Sequence, residues 1–195
     1  RKLTSADVLC NNQVNQLPLD CLGCSDCSPC TVCAPTRCSL LNGVHTGHAF
    51  VRGNREVQPE GQAPIPADLI TIPKLLKEAG YTTGMFGKWG LGAPGSSGDP
   101  VNQGWDEFYG YNCQRQAHTF YPKHLWHNDK KVMLDGETYS HDLIHEHSLK
   151  FIRDNAESPF FAYLPITIPP AAMQCPAEAL APFRQQLPAS AALPG

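Results

Sequence analysis

The chain has 195 residues, 42% of them hydrophobic and 17% charged, with 15 basic against 18 acidic side chains and a formal net charge of −3. That is enough for one ordinary domain with a core. It excludes the broad basic field of a nucleic-acid binder, and no apolar run approaches the length of a membrane helix, so neither nucleic acid nor a membrane is expected as a partner.

Residues 1–29 form an atypical, cysteine-rich N-terminal segment without clean periodicity. The first residues carry no apolar signal core, so localisation is not readable from them. The chain contains nine cysteines. Cys21, Cys24, Cys27, Cys30 and Cys33 follow one another at every third position, and Cys38 comes next. From Thr31 the pattern becomes ordered. "APTRCSLLNG" predicts a helix, with Pro35 in the first turn and Gly43 at the C-terminal stop. Residues 44–70 are polar and proline-rich and predict a long loop. "TIPKLLKEAGY" predicts a short amphipathic helix with Thr71 as N-cap and Gly80 as stop.

"TTGMFGKWG" predicts a strand running into a glycine loop, and residues 92–100 predict turns. Residues 101–137 mix aromatic and polar residues and predict no definite element. "TYSHDLIHEHSLKFIRDNAESP" predicts the strongest helix, with Leu143, Ile144, His147, Ser148, Phe151 and Ile152 along one face. His141 and His145 stand i, i+4 and could hold a metal, but their pattern predicts a solvated face. "PFFAYLPITIP" predicts a buried strand. Helix, strand, helix, strand in that order favours an α/β layered fold. Residues 186–195 predict a loose tail.

The cysteine ladder admits a metal or iron–sulfur reading, but its spacing departs from the C-x2-C-x2-C-x3-C-P run and lacks the second separated pair of a zinc site. A Cys-ladder metal-binding module is kept as an alternative. A different reading singles out Cys33. Cys33-Ala34-Pro35-Thr36-Arg37, followed by Leu40-Leu41-Asn42-Gly43, resembles the type I sulfatase signature C-x-P-[ST]-R with its later L-x-T-G. "GYTTGMFGKWG" is similar to the second motif of that family, and "TGHAFVRGN", "NQGWDEFYGYN" and "PFFAYLPITIP" also resemble sulfatase segments in the right order. The resemblance covers roughly residues 30–185 and rests on two signatures in register.

The resemblance implies a partial alkaline-phosphatase-like sulfatase domain over 30–185, with the first strand and the C-terminal part missing. It implies hydrolysis of small-molecule or carbohydrate sulfate esters. In this family the motif cysteine is oxidised by a formylglycine-generating enzyme to formylglycine (3-oxoalanine), whose hydrate attacks sulfur with one hydroxyl and expels sulfate through the other. Carried over residue by residue, Cys33 is the nucleophile precursor and a metal-site member. Arg37, one helical turn on, steadies the hydrate, and Lys88 bridges it to the sulfate. His118 is a candidate pocket histidine, catalytic and substrate-binding like Lys88. A divalent metal is implied, calcium first and magnesium second, and a periplasmic or secreted location is usual for the family. This chain departs from the pattern in having no Asp-Asp pair, Gly90 where His is common, and Pro170 where a later His is common. An inactive truncated remnant is therefore the other alternative.

Overall fold

A computed structural model describes residues 33–168 and 174–184. The segment 1–29, Cys30, position 170 and the tail 186–195 lie outside the described residues. Helix α1 spans Cys33–Asn42, α2 Ile72–Glu78, α3 Ser140–Asp154 and α4 Ala177–Arg184. Five strands, β1 (Thr82–Lys88), β2 (Glu107–Tyr111), β3 (His124–His127), β4 (Lys130–Met133) and β5 (Phe160–Tyr163), form one sheet in the order β4-β3-β2-β1-β5. β1 is parallel to both β2 and β5, whereas β3 and β4 add an antiparallel hairpin at the edge. This mixed α/β sheet matches the expected fold class.

The sheet is covered on both faces, so its central strand shows a nearly continuous buried run rather than an alternation. Successive residues of β1 feed opposite cores. Met85 joins Ala34, Cys38 and Leu41 of α1 with Trp89, Trp105 and Tyr163, while Phe86 joins Ile144 and Phe151 of α3 with Tyr109 and Tyr111. Trp105 stacks on Phe161 and Tyr163 at 5.7 and 5.8 Å between ring centres. On the other face Phe86 and Phe151 meet at 5.3 Å. A fully buried aromatic of this kind contributes roughly 1.5–3 kcal/mol.

Two glycines allow the strands to close up near the C-terminal end of β1. Gly87 has φ +136° and Gly110 φ +152°. A side chain at Gly110 would overlap the backbone carbonyl of Gly87, and one at Gly87 the carbonyl oxygen of Pro165. Beyond this crowded point Lys88 N–H donates to the Pro165 carbonyl at 2.9 Å and Trp89 N–H to the Tyr111 carbonyl at 2.9 Å.

Several expectations are refined. Thr71 does precede α2, but its hydroxyl donates to the Gln103 carbonyl at 3.2 Å instead of capping the helix. Residues 101–137 contain β2 and a complete hairpin that the sequence pattern did not give. The α3 face was anticipated, with Ile144, Ser148 and Phe151 buried. His141 is a correction: it is half-buried rather than solvated, lying edge-on to Phe120 at 4.7 Å with Nε2 2.9 Å from the Thr167 hydroxyl. His145 is exposed as expected. Among the described residues no helix is long and apolar enough to cross a membrane.

Candidate active site

Cys33 opens α1, and Asn54, reaching back from the following loop, accepts the Ala34 N–H at 3.0 Å. That bond satisfies one of the amides that every helix start leaves free. One turn later Arg37 points into the protein. It is 3% exposed, far from the surface position an isolated arginine in a first turn usually takes. Its Nε donates to the Trp89 carbonyl at 2.5 Å, tying α1 to the segment after β1. The guanidinium also lies within electrostatic reach of Cys33 and Tyr163.

Lys88 ends β1 and comes to the same place. It is 7% exposed, and its ammonium donates to Cys33 Sγ at 3.6 Å. Two cations thus converge on one thiol at a helix N-terminus. Burial lowers the Lys88 pKa first and the Arg37 charge lowers it further, with Cys33 and Cys113 opposing. Burial likewise lowers that of Arg37, against the pull of Tyr163 and Cys33. Tyr163 is pushed up to about 12 by burial, so its phenol stays protonated.

The surrounding polar atoms are unusually short of partners. Arg37 Nη2, Tyr163 OH, Asn112 Oδ1 and both amide atoms of Gln114 are buried with no hydrogen-bond partner among the described residues. In most folds such groups are paired. Gln114 occupies the space that a side chain at position 90 would take: a Cβ on Gly90, at φ +77°, would fall 2.5 Å from Gln114 Nε2. The glycine that departs from the family pattern is therefore filled by a carboxamide from another loop, which sequence alone could not show.

His118 sits at the end of a single 3-10 turn, Gln116–His118, and is exposed. Its pKa is lowered by burial and then by the Lys88 charge, which places it within electrostatic reach of Lys88. The structure thus gathers Cys33, Arg37 and Lys88 tightly and leaves His118 on the solvent side. Cys33, Cys38, Cys113 and Cys175 are free thiols.

A hard divalent cation needs carboxylate or carbonyl oxygens. Among the described residues, no group of three His, Cys, Asp or Glu side chains close enough to share a metal includes Cys33. The described residues around Cys33 therefore fit an anion and not a calcium or magnesium ion.

Comparison with known proteins gives this arrangement its family. A family model described as Sulfatase matches residues 25–183, and the chain belongs to that family. An arylsulfatase of Hemicentrotus pulcherrimus is 33% identical over 153 residues, covering 67% of this chain and 27% of that enzyme. The N-acetylgalactosamine-6-sulfatase of Mus musculus is 38% identical over 88 residues, covering 41% of this chain and 16% of that protein. The solved structure of Ps i-CgsB in complex with k-i-k-neocarrahexaose superposes with a TM-score of 0.65 at 27% identity, over 80% of this chain and 39% of that one. The chain thus spans about a quarter of the arylsulfatase's length.

Proposed function

We propose that this site belongs to a sulfuric ester hydrolase in which Cys33, once converted to formylglycine, receives the sulfuryl group of an organic sulfate. The observation that carries the reading is the convergence of buried Arg37 and Lys88 on Cys33. Family membership and arylsulfatase relatives support the reaction class. Ps i-CgsB, bound to an oligosaccharide, supports a sulfated carbohydrate as the substrate class.

The formyl group, as its hydrate, supplies a nucleophilic hydroxyl and a second one through which sulfate leaves. The chain's own residues do the rest. Arg37, fixed by the Trp89 carbonyl, holds the oxygen at position 33 and stays charged throughout. Lys88 spans position 33 and the sulfate oxygens, and its lowered pKa eases release of a proton when negative charge moves away. Two preorganised cations in a dry site stabilise developing charge far better than they would in water. His118 is neutral near pH 7 and offers one N–H and one lone pair to the leaving-group side.

The family's calcium or magnesium enters no step here, because the described donor set does not fit it. The maturation partner is a formylglycine-generating enzyme reading Cys33, Pro35 and Arg37. The test is co-expression with such an enzyme, peptide mapping by mass spectrometry, and assay against aryl and carbohydrate sulfates beside a Cys33→Ala control. Conversion at Cys33 with turnover that vanishes in the control supports the reading. Conversion at Cys30 or Cys38 instead, or equal turnover in the control, overturns it. Conversion without turnover would favour the inactive remnant.

A further inference from the structure

A second cluster of chemically active side chains lies away from Cys33, on elements the proposed reaction does not use. Glu107 opens β2, His127 ends β3 and His147 lies on α3. In register, Glu107 is next to Gly84 of β1, whereas Lys88 is next to Tyr111. The cluster is therefore about 13 Å along the strands from the cation site, at roughly 3.3 Å per residue.

Three elements hold the rings in place. Tyr109 shares a face of β2 with Glu107, and the His147 ring lies flat on it, 3.6 Å between centres and 9° between planes. His127, paired opposite Tyr109 across the sheet, stands edge-on to Tyr109 and to His147 at 5.7 and 5.2 Å. The turn after His127 is pinned as well. Asn128 takes φ 53°, its Oδ1 accepts the Phe108 N–H at 2.7 Å, and its own N–H donates to the Phe108 carbonyl at 2.8 Å.

His127 Nε2 and His147 Nδ1 each stand 3.8 Å from the same oxygen, Glu107 Oε1. All three ligand-capable atoms lie within 4.8 Å of one another. At 3.8 Å neither imidazole is hydrogen-bonded to the carboxylate. A tetrahedral ion with bonds of about 2.0–2.1 Å would hold its ligand atoms roughly 3.3 Å apart, so each His–Glu distance would contract by about half an ångström and the His–His distance by up to about 1.5 Å. The charges that face the cluster are Lys130 beside His127, Lys150 near Glu107, and Glu146 near Tyr109; Lys150 is itself paired with Asp154.

We propose that Glu107, His127 and His147 form a binding site for a divalent transition-metal ion, zinc by its ligand set, that clamps α3 to the β2–β3 edge of the sheet. Two imidazoles and one carboxylate are borderline ligands suited to zinc and poorly suited to calcium or magnesium. Water takes the fourth position. The site is independent of the sulfatase reaction and survives if that reading fails.

The test uses the full chain with Cys21, Cys24, Cys27 and Cys30 changed to Ser, so that the cysteine ladder cannot bind the probe. Zinc is titrated into the chelator-stripped protein by calorimetry, and cobalt(II) is followed by its visible absorption. We expect a single zinc equivalent, a cobalt band without thiolate charge transfer, and a melting temperature raised by zinc. His127→Ala, His147→Phe (which keeps a ring on Tyr109) and the isosteric Glu107→Gln should each weaken binding at least tenfold, since even outer partners of metal ligands are worth about 10- to 100-fold. His145→Ala should change nothing. Absence of the equivalent in the parent, unchanged affinity in all three variants, or equal loss in His145→Ala would overturn the proposal.

Discussion

The two ends of the central strands handle charge in opposite ways. At the N-terminal end, the Asp106 carboxylate is matched. Asp106 accepts from Thr83 N–H at 2.9 Å and from the Thr83 hydroxyl at 3.0 Å, and is paired with Lys77. At the C-terminal end, Arg37 and Lys88 repel each other inside the protein, and Arg37 Nη2 and four further polar atoms have no partner among the described residues. A buried, uncompensated pair of cations costs folding free energy. This end thus holds two buried cations without a matching anion among the described residues, whereas Asp106 at the other end has its partners in place.

The cation-bearing end is most sensitive at Gly110, whose missing side chain lets β1 and β2 close up beneath Lys88. Gly110→Ala should destabilise by about 3 kcal/mol or more, because backbone rather than a flexible side chain would have to move. Urea denaturation measures it, and a loss under about 1 kcal/mol would show the crowding to be easily relieved. Next in size is the response to anions. Inorganic sulfate at a hundredfold its dissociation constant should stabilise the chain by about 2.7 kcal/mol. The melting-temperature rise should disappear in Lys88→Met, while Lys77→Met should keep it.

In sulfate-free buffer Lys88→Met should stabilise the protein by about 1 kcal/mol, since it removes a buried like charge. The sign with pH follows from the lowered Lys88 pKa. The unfolded chain holds the Lys88 proton more tightly, so wild-type stability rises with pH from the folded pKa up to the ordinary lysine value. The variant should lack that rise, and the difference between the two melting curves should shrink as pH increases. The smallest effect is expected at the matched end. Lys77→Met should cost less than about 1 kcal/mol, as exposed pairs do. For Asp106, burial alone would raise the pKa, but bonds from Lys77 and Thr83 outweigh it and hold it low. Its contribution is therefore present above the ordinary aspartate range and lost as pH falls through the folded value, and Asp106→Asn should flatten that acid limb.

What could be read in advance was local. Pro35 and Gly43 bracket α1, the 3.6-residue stripe marks α3, and the spacing from Cys33 to Arg37 puts both on neighbouring turns. The hairpin escaped because its turn is Asn128-Asp129, a weaker signal than Asn-Gly. β2 escaped because Glu107–Tyr111 is buried from both sides and carries Gly110, so it shows no alternation. His141 misled because a helix face says nothing about Phe120 and Thr167 arriving from elsewhere. The same limit hid the Gln114–Gly90 exchange and the Glu107, His127 and His147 cluster, whose members meet only after strands absent from the sequence reading have paired.

The bond from Arg37 to the Trp89 carbonyl also sets a clock. The partners are 52 residues apart, so α1 cannot bury its arginine until the chain through Trp89 has been made. At a synthesis rate of about 5–20 residues per second that interval is roughly 3–10 s. On the proposed function, an enzyme that reads Cys33, Pro35 and Arg37 as an open strand has at least this interval in which to act. The proposed conversion of Cys33 would then compete with closure of the site, and variants that hasten docking of β1 on α1 would leave it folded with Cys33 unconverted.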